Sequence, residues 1–437
     1  MNLFLSKPGV MSCAGNSIEE LWTSVTSGNQ DGIKKVKACN GEEFFAARIS
    51  DSVLKPSSAR YDMRIMQIEE AALTQIQADV LKAKEAYGAE RIAVCVGSCD
   101  NGTEFSVDGH RKFFTDGEFP ADYNLEVQCA DYVASFIAEK FSLKGPCATF
   151  STACSSSAGA IIKGAELILA GLADAAVVGG IDIASDTTLI GFNSLEAVSS
   201  EITNPFSKNR HGITLGDGAA FFVMTKEPNF DSPSIRLLGW GESADAYHMT
   251  SPDPSGAGAE KAIRRALKMA EISTDDVGYI NMHGTGTKFN DSMEAKAITA
   301  VFGSGKSFTE EATGGPEALT EAYAKVPVST TKSVTGHTLG AAAALELAIC
   351  WYALVENSRE TCNNILLPKQ VWDGEQDPEL PVLNIVDKNN PAGRKDFEAS
   401  SKNNESTKDT ADSTRLKVCL SNSFAFGGAN ACLAIGI

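Results

Sequence analysis

The stretch FSTACSSSAGAII, residues 150–162, sets a single cysteine among small hydroxyl residues, where an apolar run gives way to helical spacing. Before it, KGPCATFS (144–151) has the texture of a buried strand; after it, SAGAIIKGAELILAG (157–171) repeats apolar residues at helical intervals. A strand that feeds a helix through small residues is the repeating unit of an α/β fold. Cys154 then falls at a helix N-terminus, where the dipole and free N–H groups favour a thiolate and can hold an oxyanion on an acylated sulfur. The plainer alternative is a small core cysteine.

Working outward, the alternation continues. RIAVCVGS (91–98), DAAVVGG (174–180) and GAAFFVMTKE (218–227) read as buried strands, with QIEEAALTQIQADVLKAKEAY (67–87) as an amphipathic helix among them. A second series begins at PSIRLLGWGESAD and runs through VGYINMHG, KVPVSTTK and GAAAALELAICWYALV to RLKVCLSNSF and NACLAIGI. The pattern predicts an α/β chain with largely parallel, buried sheets, built from two similar halves at 1–232 and 233–437. KNNPAGRKDFEASSKNNESTKDTADSTRLK (388–417) breaks the texture. It is too polar to offset its ordering entropy by burial and reads as a mobile surface loop.

Composition excludes several classes. A net charge of −18 over 437 residues argues against nucleic acid and anionic membranes as main partners. No apolar run reaches the roughly 18 residues of a spanning helix, and the lysine in MNLFLSKPGVMSCAGNS follows its apolar stretch, the wrong order for a secretory signal. The 11 cysteines lack disulfide-framework spacing, which points to reduced thiols in a cytoplasmic protein.

Two of the five histidines sit in glycine-bracketed turns directly after predicted strands, in NMHGTGTKFND (281–291) and TKSVTGHTLGAAAA (331–344). Ligands bind at such strand ends in α/β sheets, and glycine allows them to approach closely. NSFAFGGANA (422–431) places two aromatics beside Gly427 and Gly428, as either a tight turn or a mobile gate. Cys95 and Cys99 lack the second pair a zinc site needs, and FGSGKSF (302–308) lacks the first glycine of a phosphate loop.

Taken together, STACSSSAGAI, MHGTGTKFND with the following Glu294, TKSVTGHTLGAAAALE and FAFGGAN resemble the β-ketoacyl-acyl-carrier-protein synthases, elongating condensing enzymes of the thiolase superfamily. ESADAYHMTSPDPSGAG (242–258) is similar to a further active-site loop of that family, so the resemblance covers nearly the whole chain. It implies a thiolase-like fold of two duplicated βαβ halves in α/β/α/β/α layers, with no cofactor and no metal. Cys154 would carry the acyl chain, while His283 and His337 would bind the malonyl thioester and promote decarboxylation. Lys332 would orient the His337 region, and Asp291 and Glu294 would support the first histidine turn. The N–H groups of Cys154 and Phe426 would form the oxyanion hole, with Phe424, Phe426, Gly427 and Gly428 as gate.

The family's partner is an acidic acyl carrier protein, which needs a local basic patch. Arg60, Arg64, Lys208 and Arg210 are the candidates. A homodimer is implied, with a heterodimer beside a non-catalytic homologue as the second arrangement. Lys288 stands where the family usually has Pro and Ala425 where Gly is common. The N-terminal stretch and NPFSKNRHGITLGDGAA (204–220) look more like synthases of specialised polyene pathways. Four competing readings are weighed against this one. A degradative thiolase needs a second catalytic cysteine near the C-terminal glycines, and a starter-type synthase needs Asn in place of His337. A chain-length subunit generally lacks the nucleophile, and a thiol hydrolase has no use for two histidine turns.

Overall fold

Along the central strands every second residue faces a different apolar cluster, and this alternation builds the architecture. The structure is a computed structural model that describes residues 2–100, 102–228, 230–304, 323–358, 365–391 and 415–437. Most of the polar stretch 388–417 lies outside the described residues, as does Cys362.

In the N-terminal half the strands are β1 (Gly9–Ser12), β2 (Ile92–Gly97), β3 (Cys147–Phe150), β4 (Ala175–Asp182) and β5 (Gly218–Thr225), all buried except β3, which the sequence reading took as buried but which lies at the sheet edge with Cys147 exposed and the rest half-buried. In the C-terminal half they are β6 (Ile235–Ala244), β7 (Tyr279–Asn281), β8 (Tyr323–Ser329), β9 (Val418–Phe424) and β10 (Ala429–Gly436). β2 pairs in parallel with β3 and β4, and β5 runs antiparallel between β4 and β1. The same arrangement recurs in the second half: β7 is parallel to β8 and β9, and β10 is antiparallel between β9 and β6. The sheets are therefore mixed rather than largely parallel. The antiparallel strands are β5 and β10, and a two-residue strand, Phe4–Leu5, bonds to β5 and β6 at once, joining the two halves into one 13-stranded sheet beside a separate three-stranded one.

Helices fill the layers between and outside. α1 (Arg64–Tyr87) and α2 (Tyr132–Phe141) cover the outer face of the first half, against Ile92, Val94, Val177 and Phe221. α3 (Ser156–Leu169) and α6 (Ala342–Ser358) share the central layer with Cys95, Val178, Phe222 and, from the second half, Leu433 and Ile435. α4 (Ala257–Ala270) and α5 (Lys288–Phe302) cover the opposite outer face, against Ile280, Leu420 and Ala434. The result is α/β/α/β/α. Leu339–Ser358, which contains α6, is long and apolar enough to cross a membrane by length and composition alone, but Glu346 breaks its apolar run and 94 % of its apolar window is buried inside the protein. A helix between two sheets has no solvent face and so reads as apolar all round.

One residue fits this core badly. Glu69 lies on the buried face of α1 among Ile65, Met66, Ile68 and Leu73; it is fully buried and neither carboxyl oxygen has a hydrogen-bond partner. Burial, helped by the charge of Glu70, raises its pKa well above the usual carboxylate range. An acid raised on folding favours the native state while protonated, and that contribution is lost as pH climbs from the unfolded toward the folded pKa. Glu69→Met is therefore expected to stabilise the protein by about 1–3 kcal/mol at pH 8, with a smaller gain at pH 5. Urea denaturation at both pH values measures it, and a variant less stable than the parent at pH 8 would contradict the account.

Candidate active site

The hydroxyl residues around Cys154 answer the question the sequence raised: they tie a strained turn. Ala153, immediately before the cysteine, has φ +51°, a conformation that costs a residue with a side chain. The Ser156 hydroxyl donates to Ala153 O at 2.6 Å and accepts the Thr152 N–H at 2.9 Å, while the Ser155 hydroxyl donates to Thr152 O at 2.9 Å. Ser157 accepts the Ala344 N–H at 3.0 Å, fastening α3 to the central partner helix α6. Larger neighbours would not fit, since a side chain on Gly97 of β2 would meet the Ser157 backbone at 2.2 Å. The helix starts at Ser156, so Cys154 occupies the turn ahead of it rather than its first residue.

Three catalytic candidates from distant segments converge here. His337 Nε2 lies 3.0 Å from Cys154 Sγ, and the two imidazoles are edge-to-face with centroids 5.4 Å apart. The His337 backbone is held by a 2.7 Å bond from its N–H to Thr214 O. The Lys332 ammonium donates to His283 O at 2.6 Å, lies 3.4 Å from His283 Nδ1 and pairs with the buried Glu346 carboxylate. Glu294 accepts the N–H groups of His283 at 2.8 Å and Gly284 at 2.7 Å, plus the Asn422 amide at 3.2 Å. Asp291 accepts the N–H groups of Phe206 at 2.8 Å and Gly286 at 3.1 Å. These two carboxylates hold the backbone of the histidine turn and of the loop packed on it.

The segment that the sequence reading took as a gate packs against the cysteine and the first histidine. The Phe426 backbone N–H bonds to the Cys154 sulfur, Phe424 lies edge-on to His283, and the Phe426 ring is 5.9 Å from that of Phe192. Gly427 at φ +82° and Gly428 at φ +76° make the turn. Gly427 N–H donates to Met249 O and Gly428 O accepts the Asp245 N–H, which joins the gate to the 242–258 loop. Cys154, both histidines, Phe424 and Phe426 line a cavity of about 390 Å³.

Electrostatics revise one expectation. Burial pushes the Cys154 thiol up to about 11; the Lys332 charge and the Phe426 N–H only partly oppose it. Burial and the same lysine charge hold both histidines well below their ordinary range. The resting site is thus a neutral thiol beside neutral imidazoles, not the thiolate predicted from the helix end; desolvation outweighs the dipole. Iodoacetamide alkylation of Cys154 should accordingly rise about tenfold per pH unit from pH 7 to 10, followed by peptide mass analysis. A plateau below pH 9 would mean a standing thiolate.

Two carrier-binding candidates need correction. Arg64 is half-buried, its side chain 9 % exposed, and bonds to Asp217, Asp51 and Ile49 O; Arg210 is buried and pairs with Asp377 at 2.5 Å, with Asp291 3.9 Å away. Both guanidiniums serve interior carboxylates, whose burial without a counter-charge would be costly. Arg60 and Lys208 are on the surface, Arg60 paired with Glu126 and Glu139, Lys208 with Glu375. Glu346 was missed in sequence, although a lone acid inside an apolar helix signals a buried partner. Asp182 was missed too; it is fully buried and accepts the N–H groups of Cys99 and Gly340.

Among the described residues no second cysteine joins the site: Cys419 and Cys432, the thiolase candidates, are buried and do not line the cavity. Comparison with known proteins agrees with this geometry. Residues 9–229 match the β-ketoacyl synthase N-terminal domain and residues 235–364 the β-ketoacyl synthase C-terminal domain. The 3-oxoacyl-[acyl-carrier-protein] synthase 2 of Coxiella burnetii is 29 % identical over 98 % of this chain and 96 % of its own length. That of Vibrio cholerae is 30 % identical over 83 % of this chain and 88 % of its own. Among solved structures, the ketosynthase ApeO in complex with its chain length factor ApeC, from Xenorhabdus doucetiae, matches with TM-score 0.79 and 33 % identity, covering 100 % of this chain and 98 % of that one. With both family domains matched in order around one cysteine and two histidines, the chain belongs to the β-ketoacyl synthase family.

Proposed function

We propose that this chain catalyses decarboxylative Claisen condensation of an acyl thioester on Cys154 with malonyl-acyl-carrier protein, giving a β-ketoacyl-acyl-carrier protein. The observation that carries the reading is the meeting of Cys154, His283 and His337 in one cavity. In the first half-reaction the Cys154 sulfur attacks the acyl-carrier carbonyl, aided by N–H donors at Cys154 and Phe426; the carrier leaves as its thiol, taking the proton. In the second, neutral imidazoles of His283 and His337 donate hydrogen bonds to the malonyl thioester oxygen, so that loss of CO2 leaves a stabilised enolate. The enolate carbon attacks the acyl-cysteine carbonyl, and the Cys154 thiolate departs and takes one proton from solvent, which returns the site to its resting thiol.

Lys332 keeps the histidines neutral by its charge, Asp291 and Glu294 position the first histidine turn, and the Phe424–Gly428 segment gates acyl entry. Arg60 and Lys208 are the surface candidates left for carrier docking. The relatives are 3-oxoacyl-[acyl-carrier-protein] synthases or a ketosynthase beside a chain length factor, so we assign this chain to fatty-acid, polyketide or polyene assembly, as a homodimer or as the catalytic half of a heterodimer. Cys154 argues against the non-catalytic subunit. The division at residue 232 is supported by the repeated strand topology, and a cytoplasmic site by the free state of every described cysteine.

Intact-protein mass spectrometry with an acyl-carrier substrate tests the reading. A thioester adduct on the parent but not on Cys154→Ala, released as ketoacyl product when malonyl carrier is added, is the expected result. Adduct followed only by hydrolysis would indicate a hydrolase, and absence of adduct a chain-length subunit.

A further inference from the structure

β4 ends at Asp182, and this strand end lies between the helix that follows Cys154 and the turn that follows His337. A side chain on Gly180 would meet Ser157 Cβ at 2.6 Å and Ala341 Cα at 3.1 Å. Asp182 is 1 % exposed and does not line the catalytic cavity. One carboxyl oxygen, Oδ2, accepts both the Cys99 N–H at 2.8 Å and the Gly340 N–H at 2.7 Å. The other, Oδ1, has no hydrogen-bond partner among the described residues.

The two donors lead to the two members of the reacting pair. The Cys99 thiol donates to Ala153 O at 3.3 Å, and Ala153 is the residue before Cys154. Gly340 follows His337 in the same turn, with Leu339 between Thr338 and Gly340. Each path runs through a strained residue: Ala153 has φ +51° and Leu339 φ +50°. A residue with a side chain keeps that conformation only where its surroundings hold it. A side chain on Gly340 would meet Asp182 Oδ2 at 2.6 Å and Cys99 N at 2.9 Å, so the three segments are already in contact. N–H···O bonds hold their length to a few tenths of an ångström. One oxygen shared by two donors therefore fixes how far apart the donors lie.

We propose that Asp182 is a positioning residue that sets the 3.0 Å approach of His337 Nε2 to Cys154 Sγ, by holding the turns of both on one oxygen. It acts through Cys99 and Gly340 and does not reach the substrate. Its kinetic consequence rests on the condensing reaction proposed above; its geometric consequence does not. Burial and the charge of Asp100 raise the Asp182 carboxyl to about 8, so at pH 7 the group is mostly protonated. Asparagine, which keeps an accepting oxygen, is then its close mimic.

The test compares the full chain with Asp182→Asn and Asp182→Ala at pH 7, by crystal structure and by condensation kinetics on the folded fraction. Asp182→Ala should part Sγ from Nε2 beyond hydrogen-bond reach and lower kcat about 10²-fold, the cost of a misplacement near 1 Å, with KM for malonyl carrier within about twofold. Asp182→Asn should keep the short contact and recover all but about threefold of kcat. If Asp182→Ala does not fold, Asp182→Ser, whose shorter side chain cannot reach both donors, takes its place with the same expected result. An unchanged Sγ–Nε2 contact and kcat in the shortened variant, with only urea stability reduced, would make Asp182 purely structural and overturn the proposal. So would an asparagine variant as slow as the alanine one, since the carboxyl proton or charge would then matter rather than the accepting oxygen. Absence of condensation in the parent would defeat the functional reading alone, because the Sγ–Nε2 separation still judges Asp182.

Discussion

Glu346→Leu should destabilise this protein by about 3–5 kcal/mol, because it strands the Lys332 ammonium in the interior. Lys332 is 1 % exposed, and beyond Glu346 its ammonium has, among the described residues, the His283 carbonyl and ring nitrogen as partners. Lys332→Met should cost less. Burial already raises Glu346 to about 7 against the pull of the lysine, so without Lys332 the carboxyl takes up a proton and becomes neutral. The double variant, Lys332→Met with Glu346→Leu, should recover most of the loss, as apolar replacements of buried ion pairs often do. Urea denaturation of all four proteins measures the cycle.

The pH profile then separates structure from chemistry. The lysine charge helps to hold both histidines below their ordinary range. Histidines depressed on folding contribute stability that is present above the unfolded pKa and lost as pH falls. Removing Lys332 should let their pKa values rise and shift the acid limb of condensation to higher pH, even in the double variant whose stability is restored. Recovery of both stability and the parent pH profile would make Lys332 purely structural.

The second large effect concerns His337. Two neutral imidazoles in one cavity can donate to the same developing oxyanion, and loss of one such donor costs about 10²–10³ in rate. His337→Ala should reduce CO2 release from malonyl carrier by that factor, while acylation of Cys154, followed by intact mass, falls less. The reverse split would make His337 a base for the 3.0 Å sulfur rather than an oxyanion donor. Cys154→Ala serves as the control, since it removes the adduct outright.

Much of this was legible in the chain itself. The strand and helix segments stood out because a buried strand must be apolar on both faces and an outer helix on one. Cys154, His283, His337 and the double glycine were legible because each sits in a turn that needs small or glycine residues, and a turn's requirements are local. Local rules also fixed the repeat: β2, β3 and β4 follow one another with helices between, as do β7, β8 and β9.

Only the tertiary structure decided which charges stay on the surface and which serve the interior. Arg64 and Arg210 look like Arg60 and Lys208 in sequence, yet their partners Asp217 and Asp377 lie 153 and 167 residues away. The 2-to-3.6 periodicity that reveals a strand or a helix carries no information about such pairings. The state of the nucleophile was hidden for the same reason. A helix end predicts a thiolate, but burial is a sum over segments that meet only in the fold, and it raises the Cys154 thiol to about 11 against the Lys332 charge and the Phe426 N–H.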